Sequence, residues 1–417
     1  MFLPLRWSGR QNRLTVALRQ APDLNQMENL MQKKLIALAV AGLASTGVFA
    51  QSNVTVYGVA DASFDIVRIG GDANNGLGNT NRVSTNSSYL GFKGSESLGN
   101  GLTALFQFES GVSFDSAGAL STNRDSFVGL NGGFGTVVLG TLTGPTRALG
   151  TALDVNPGAT GIGANAGILG KLGNRLLGST SATGDYAASS TCARSSSCQS
   201  IFDNRWKNAV AYVSPTFAGV NATLAYVANE NKSLHGMTSA NTTGYDVGVK
   251  YAGGPVMAAV TYNAVSLGNA VDTKVADLRV GGSYSFGPAS IRAIFDLARA
   301  DDFGGAKFTQ AVYGLGATFD VTPATKLLGQ VYVARDVKRN GTSQDDSGAK
   351  LFEVGVLHSL SKRTTLKATY AMINNDKAAS YDFGVNAAGV NTGSLPGGAS
   401  TVGATVQGIS LGLRHTF

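Results

Sequence analysis

Charge is the first thing this 417-residue chain is short of. Lys, Arg, Asp and Glu make up 14% of it, against about 25% in an ordinary soluble domain, and a chain so poor in charge is an unusual soluble enzyme. Proline is scarce, at nine residues, which excludes a collagen-like rod and a Pro-rich linker. The three histidines, His235, His358 and His415, stand far apart, and none sits beside a nucleophile-like motif. Nothing in the sequence therefore outlines a Ser-His-Asp set, although such sets assemble in space. The two cysteines have no histidine or second cysteine pair near them, which argues against a zinc site. No Lys/Arg run with interleaved aromatics follows residue 50, so nucleic acid is set aside as a partner. The Gly-rich stretch 161–167 lacks the strand-then-helix setting of a nucleotide fingerprint, and no cofactor is implied. Long apolar runs are missing as well. Beyond residue 50 nothing reaches 18 consecutive apolar residues, so there is no transmembrane helix there.

What the chain has is glycine, 55 residues of it, which suits tight turns and close strand crossings. It also has a leader. Met31-Gln-Lys33-Lys34 is a short basic region, 35–49 is apolar, and Val48-Phe49-Ala50 fits a small-x-small cleavage site. That is the pattern of a secretory signal peptide, and it is short for a membrane anchor. Residues 1–30 resemble neither a domain nor a basic leader region and read as an extension from an upstream start codon. The expected organisation is 1–30 extension, 31–50 signal peptide and 51–417 exported chain. The formal charge of +7 shrinks accordingly, because residues 1–50 hold six of the 33 basic and two of the 26 acidic residues. A basic balance this small says little about polyanionic partners.

The exported part is a series of alternating runs. At 54–61, Val54, Val56, Gly58 and Ala60 share one face of a strand, and Thr55, Tyr57, Val59 and Asp61 share the other. At 102–109, Leu102, Ala104, Phe106 and Phe108 oppose Thr103, Gln107 and Glu109. An apolar face backed by a polar one fits a half-buried soluble sheet or a barrel wall with lipid outside and water inside. Length and punctuation favour the barrel, since runs of about ten residues match a tilted membrane strand. Short connections fall at 96–101, 131–135, 214–219, 252–255, 287–288, 321–325 and 360–363. Long ones fall near 70–82, 114–122, 142–204, 229–242, 267–273, 300–307, 337–348 and 374–402. This alternation predicts a 16-stranded antiparallel transmembrane β-barrel with short turns on the periplasmic side and long loops outside, the outer-membrane arrangement.

Segment 142–204 is the longest connection, rich in Gly, Ala, Ser and Thr. A loop of that length inside one fold is commonly functional. Its first half is expected to fold into the barrel as a constriction, while the stretch around 179–200 reads as exposed. At the C-terminus Ile409, Leu411, Leu413, His415 and Phe417 alternate with Ser410, Gly412, Arg414 and Thr416, giving a final strand with one apolar, lipid-facing row that closes on an aromatic residue.

These residues resemble a known family. Val-Thr-Val-Tyr-Gly-Val-Ala-Asp at 54–61, Tyr-Leu-Gly-Phe-Lys-Gly-Ser-Glu-Ser-Leu-Gly-Asn-Gly-Leu at 89–102 and Phe-Gln-Phe-Glu-Ser-Gly at 106–111 carry the resemblance. So do Arg-Asp-Ser-Phe-Val-Gly-Leu at 124–130, Phe-Gly-Thr-Val-Val-Leu-Gly at 134–140, Ala-Tyr-Val-Ser-Pro-Thr-Phe-Ala-Gly at 211–219 and Leu-Arg-His-Thr-Phe at 413–417. In order and spacing they resemble the trimeric general porins of Gram-negative bacteria, specifically the β-proteobacterial branch, over essentially all of 51–417.

The resemblance implies a water-filled pore per subunit, a homotrimer in outer-membrane lipid, and passive diffusion of small hydrophilic solutes and ions without catalysis. It also implies a third loop at the constriction, where wall cations face loop acids and bias ion choice. A terminal Phe417 resembles the signal by which the barrel-assembly machinery takes up such chains. Carried over by position, Arg124 and Arg205 match basic wall positions. Lys93 shares the parity of Tyr89 and faces the lumen, as do Asp61 and Glu109. Asp154, the sole acid in the first part of the long loop, is the candidate acidic partner across the pore. Tyr89 and Thr141 stand where many relatives carry arginine, which leaves the ion preference open. The long segments 142–204 and 374–402 also leave open an occluded or solute-specific barrel acting as an adhesin or structural protein.

Cys192 and Cys198 lie six residues apart in a Ser-rich loop, and in an exported protein such a pair suggests a loop-stapling disulfide. Intact mass of the protein recovered from outer membranes is expected to correspond to a chain starting at Gln51 and to rise by two hydrogens on reduction. An unchanged mass would show free thiols.

Overall fold

Side-chain alternation sorts this chain into two environments. On β1 (Thr55–Gly70), Asp61, Ser63, Asp65, Val67 and Ile69 are buried while Phe64 and Ile66 are exposed. The outward row is apolar from Val56 to Ile66, with Arg68 beyond it at the loop end, and the covered row is mixed. That is the reverse of a soluble sheet and the arrangement of a wall facing lipid. The computed structural model describes residues 54–70, 77–113, 124–172, 200–228, 243–266, 274–303, 305–383 and 402–417. The expected leader, Cys192, Cys198 and His235 lie outside the described residues.

After β1 come β2 (Leu77–Thr85), β3 (Tyr89–Gly99), β4 (Leu102–Gly111), β5 (Ser126–Gly132) and β6 (Gly135–Thr143). A short helix, α1 (Pro145–Leu153), precedes β7 (Arg205–Val213), β8 (Val220–Val227), β9 (Thr243–Gly253), β10 (Val256–Ser266) and β11 (Lys274–Phe286). The chain continues through β12 (Ala289–Phe303), β13 (Ala306–Thr322), β14 (Thr325–Ala334), β15 (Lys338–Arg339) and β16 (Thr342–Ser343). It ends with β17 (Ala349–Ser359), β18 (Thr364–Asn375) and β19 (Thr405–Thr416).

Wall strands pair antiparallel with their neighbours in order, and β1 pairs with β19 from Val59↔Thr416 to Gly70↔Thr405. The sheet is therefore closed. β2 and β3 both pair with β1 and form a single stave, while β15 and β16 form a small hairpin off the end of β13. The wall thus has 16 staves, as the alternation predicts. The stave of β2 and β3 breaks at Asn86–Ser88, where Ser87 takes a φ of +55°. There the Asn86 amide donates to Asp61 Oδ1 and Ser63 Oγ, and Asp61 N donates to Ser88 Oγ. Side chains there take the place of the missing ladder bonds.

All seven short turns fall where the sequence places them. Gly254 and Gly287 have φ +55° and each precedes a proline. The first central position of a two-residue hairpin turn needs a positive φ, which costs glycine nothing. The loop side differs in two places. β12 runs to Phe303 and β13 restarts at Ala306, so the long loop expected at 300–307 is a tight turn. β2 likewise begins at Leu77, inside the loop expected at 70–82. Both stretches are polar, which reads as loop in sequence. A strand that rises beyond the lipid into water can carry such residues without penalty.

Outside, Tyr251, Tyr284, Phe286 and Phe319 are exposed near the short-turn end, and Tyr226, Tyr245 and Tyr262 near the loop end. On β9, Tyr251 and Tyr245 are six residues apart, or about 20 Å along a strand. Two aromatic girdles bounding an apolar band mark the two lipid–water interfaces.

The first half of the long loop lies inside the barrel. α1 packs against β8 to β12. Beyond it Ile162, Ile168, Leu169 and Leu172 are fully buried, against Val67, Ile294, Val312, Tyr332 and Leu351 in one cluster and Phe202 and Trp206 in another. Burying each such aliphatic side chain is worth about 1.5–3 kcal/mol. Polar ties fix the same segment. Thr146 N and Oγ1 donate to Asp246. Arg279, wholly buried, bonds Asp203 at 2.7 and 2.9 Å and Asp296 at 2.6 Å, and lies 3.0 Å from Asp277. Its Nη1 also donates to the Thr146 carbonyl. At Gly163 an added Cβ would fall 2.0 Å from the Glu353 carboxyl carbon, so only glycine lets the loop backbone lie on that wall residue. Part of the 374–402 connection also turns inward, since Tyr381 and Phe383 are fully buried and Tyr381 Oη donates to Gln310.

Arg279→Met would strand three buried carboxylates, and removing one partner of a buried ion pair costs about 3–5 kcal/mol. The temperature at which the folded band is lost in heat-modification electrophoresis is expected to fall clearly below that of the unaltered barrel.

Candidate functional site

The inward rows of β1, β3 and β4 meet at one height. Tyr57 Oη donates to Glu109 Oε1 at 2.8 Å, and Gln107 Nε2 donates to the same oxygen at 3.1 Å. Arg124 Nε donates to Glu109 Oε2 at 3.2 Å. The Arg124 guanidinium stacks 4.3 Å from the Tyr89 ring centre, Lys93 Nζ stands 4.9 Å from that of Tyr57, and the two tyrosines meet edge-on at 6.1 Å. Cations over aromatic faces are held electrostatically while keeping much of their charge available. Four of the residues singled out in the sequence, Tyr89, Lys93, Glu109 and Arg124, therefore form one wall patch.

Arg205, at the start of β7, bonds Asp125 at 3.2 Å, and Thr143 Oγ1 donates to the same carboxylate at 2.8 Å. Arg147 on α1 faces this group from the inserted loop. Burial and the neighbouring cation Arg205, with Arg124 behind it, hold its guanidinium below the usual arginine value, and it stays charged at neutral pH. Asp61 sits apart from the patch, fully buried between Lys367 and Arg414, whose Nη1 is 2.9 Å away. The loop reaches this side too, since a Cβ on Gly158 would stand 3.5 Å from the Arg414 guanidinium.

Asp154 has a different place from the one expected across the open pore. It is 2% exposed and is held within the loop's own turn. Asn156 N donates to it at 2.7 Å and Asn165 N at 2.6 Å, with Gln330 Nε2 more distant at 3.4 Å. Burial pushes its carboxyl up to about 6, against the hydrogen bonds that favour the ionised form. Gln330 Nε2 also donates to Glu353, and so does Asn156, so the acids of this region pin the loop to β14 and β17. Phe417 closes the seam. Gly58 and Phe417 exchange two backbone hydrogen bonds at 3.1 Å, and the Phe417 ring lies over Gly58.

Sequence reasoning passed over Tyr57, Gln107, Asp125, Arg147, Lys367 and Arg414. Parity alone marks Tyr57 and Gln107, which share the faces of Asp61 and Glu109. Arg414 lies on the polar row of the last strand. Nothing local marks Arg147 or Asp125, because their roles depend on where the loop returns.

A closed, aromatic-girdled barrel whose lumen is narrowed by an inserted loop facing a patch of wall cations is a diffusion channel of the outer membrane. Residues 37–378 match the Gram-negative porin family, and the chain belongs to that family. It is 33% identical over 398 residues to outer membrane porin protein 32 of Delftia acidovorans, covering 93% of this chain and all of that one. Among solved structures it is similar to an anion-selective porin from Comamonas acidovorans, with a TM-score of 0.69 and 26% identity over 88% of this chain and all of that chain. It also shares its fold with OmpT of Vibrio cholerae in a trimer form, with a TM-score of 0.60 and 14% identity over 88% of this chain and 99% of that one.

Glu109→Gln would remove the carboxylate paired with Arg124 in this patch. Anion-over-cation permeability, read from the zero-current potential under a salt gradient, is expected to rise.

Proposed function

We propose that the channel favours small anions and hydrophilic anionic solutes, works as a homotrimer and carries out no reaction. One observation carries the ion preference. In four of the eight ion pairs described on the inner wall the cation shows more surface than the acid. Arg82 is 16% exposed against 0% for Asp65, Arg124 16% against 8% for Glu109, and Lys367 9% and Arg414 17% against 0% for Asp61. Arg205, at 16% against 23% for Asp125, and Arg279, at 0% against 8% for Asp203, run the other way, and the contacts of Arg279 with Asp277 and Asp296 show no surface. A passing ion senses the charge exposed to it, because buried acids are already compensated. The similarity to an anion-selective porin supports the same sign.

The fold shared with a protein solved as a trimer supports the assembly. Residues 31–50 serve as the cleaved signal peptide in this reading, with 1–30 an upstream extension, and Phe417, on the seam, as the handle for assembly into lipid. Among the described residues His358 and His415 each share a hydrogen bond with a threonine, Thr325 and Thr364. That is no catalytic constellation.

Planar-bilayer recording of the full-length exported protein across a salt gradient tests the proposal. Conductance steps in threes are expected, with a zero-current potential of anionic sign. Arg124→Ala should lower anion preference by up to about fivefold, the worth of one unit charge at about 4 Å in water, and raise single-channel conductance. If neither quantity moved, Arg124 would lie off the narrowest point. A folded barrel without conductance would favour the occluded reading.

A further inference from the structure

Most cations on the inner wall are committed. Arg82, Arg124, Arg205, Arg279, Lys367 and Arg414 each hold a carboxylate. Lys250 does not. It stands on the inward row of β9, between Gly248 and the short turn. It is exposed, and among the described residues its side chain makes no ion pair or hydrogen bond.

Beside it lies a hollow of about 250 Å³ between α1 and the wall. Ala148, Leu149 and Ala152 of α1 form one side, and Met257 and Ala259 of β10 the other. Two features show that this hollow belongs to the fold. Gly248 has no Cβ, and one added there would fall 2.7 Å from Pro145 Cβ, so the helix rests directly on the wall. Met257 and Ala259 also pack against the main buried cluster of the barrel. An apolar lining inside a lumen that should be wet is unusual. Ligand sites combine such a lining with a few polar groups that fix orientation, and here Lys250, Asn221 and Thr223 edge the same hollow.

We propose that this hollow is a binding site for short-chain monocarboxylates, with the carboxylate on Lys250 and the alkyl chain between α1 and β10. The proposal rests on the anion-channel reading and deepens it. It makes the lumen a site that retains amphiphilic organic acids in preference to inorganic anions or acetate. Each methylene moved from water into the hollow contributes about a fourfold gain in affinity, the equivalent of about 0.8 kcal/mol, until the hollow is full.

The test uses the full-length trimer in planar bilayers with chloride as the current carrier. Acetate, butyrate and hexanoate are added in turn, and the concentration that halves the chloride current is read for each. In the unaltered protein that concentration is expected to fall from acetate to hexanoate, by up to about fourfold per methylene. Lys250→Met should raise it for all three acids, by tenfold or more for hexanoate. Ala148→Gln, which puts a polar group into the hollow from an exposed helix position, should flatten the dependence on chain length. Chloride current in each variant shows that it has folded. Equal half-blocking concentrations for all three acids in the unaltered protein would overturn the proposal, and so would a hexanoate block that Lys250→Met leaves unchanged. Absence of chloride steps in the unaltered protein would overturn the channel reading itself.

Discussion

The hydrogen-bonded seam between β1 and β19 is the contact on which the rest depends. In lipid an unpaired N–H or C=O has no water to turn to, and each one costs several kcal/mol. An open edge would expose a full row of them. The seam removes that edge from Gly58 to Gly70, and its last bonds are the reciprocal pair between Gly58 and Phe417. The ring of Phe417 can lie flat over this point only because residue 58 has no side chain. Closure also makes the wall a fixed surface, and a fixed surface is what an inserted loop needs in order to find one position.

The loop is held by two kinds of force that do different jobs. Its aliphatic side chains supply most of the attraction, as in any interior. Its charged and amide groups supply registry. Arg279 engages acids from three places in the chain, and Gln330 bridges the loop carbonyl of Gly163 to the wall carboxylate of Glu353. Buried ion pairs add little net stability, because desolvation offsets most of their attraction. A loop shifted by one residue would leave those groups unpaired, however, and that penalty is large. The apolar contacts hold the loop against the wall, and the buried charges select which of several greasy arrangements is adopted.

Much of the wall was legible because its rule is local. A period of two, interrupted by turn residues, is enough to count staves and to assign faces. Asp61, Glu109, Tyr89 and Lys93 all point inward as their parity requires. The failures came where locality ends. The polar stretch at 300–307 looks like loop, yet strand runs on to Phe303 and resumes at Ala306, because the sequence does not show where the lipid stops. The break at Asn86–Ser88 depends on side chains reaching across to Asp61 and Ser63 on another strand. Asp154 looks like a lone acid free to face the pore, whereas Asn156, Asn165 and Gln330 enclose it, and Gln330 lies far along the chain. Arg279 was legible only in part, since Asp277 shares its face of β11 and Asp296 is its register partner on β12, whereas Asp203 reaches it only by the loop's return.

The placement of α1 has one more consequence. Its weight rests on β8 to β12, while the tyrosine and cation patch stands on β1 to β5. The contacts of α1 and the tyrosine and cation patch are thus written on different arcs of one circumference. In the proposed reading a change of residue at Tyr89, Lys93 or Arg124 is expected to alter traffic without touching the contacts of α1, and a change around Arg279 to loosen them. Such a division lets natural variation explore new permeabilities at little risk to assembly, and it lets an engineer redraw one arc while leaving the other as it stands.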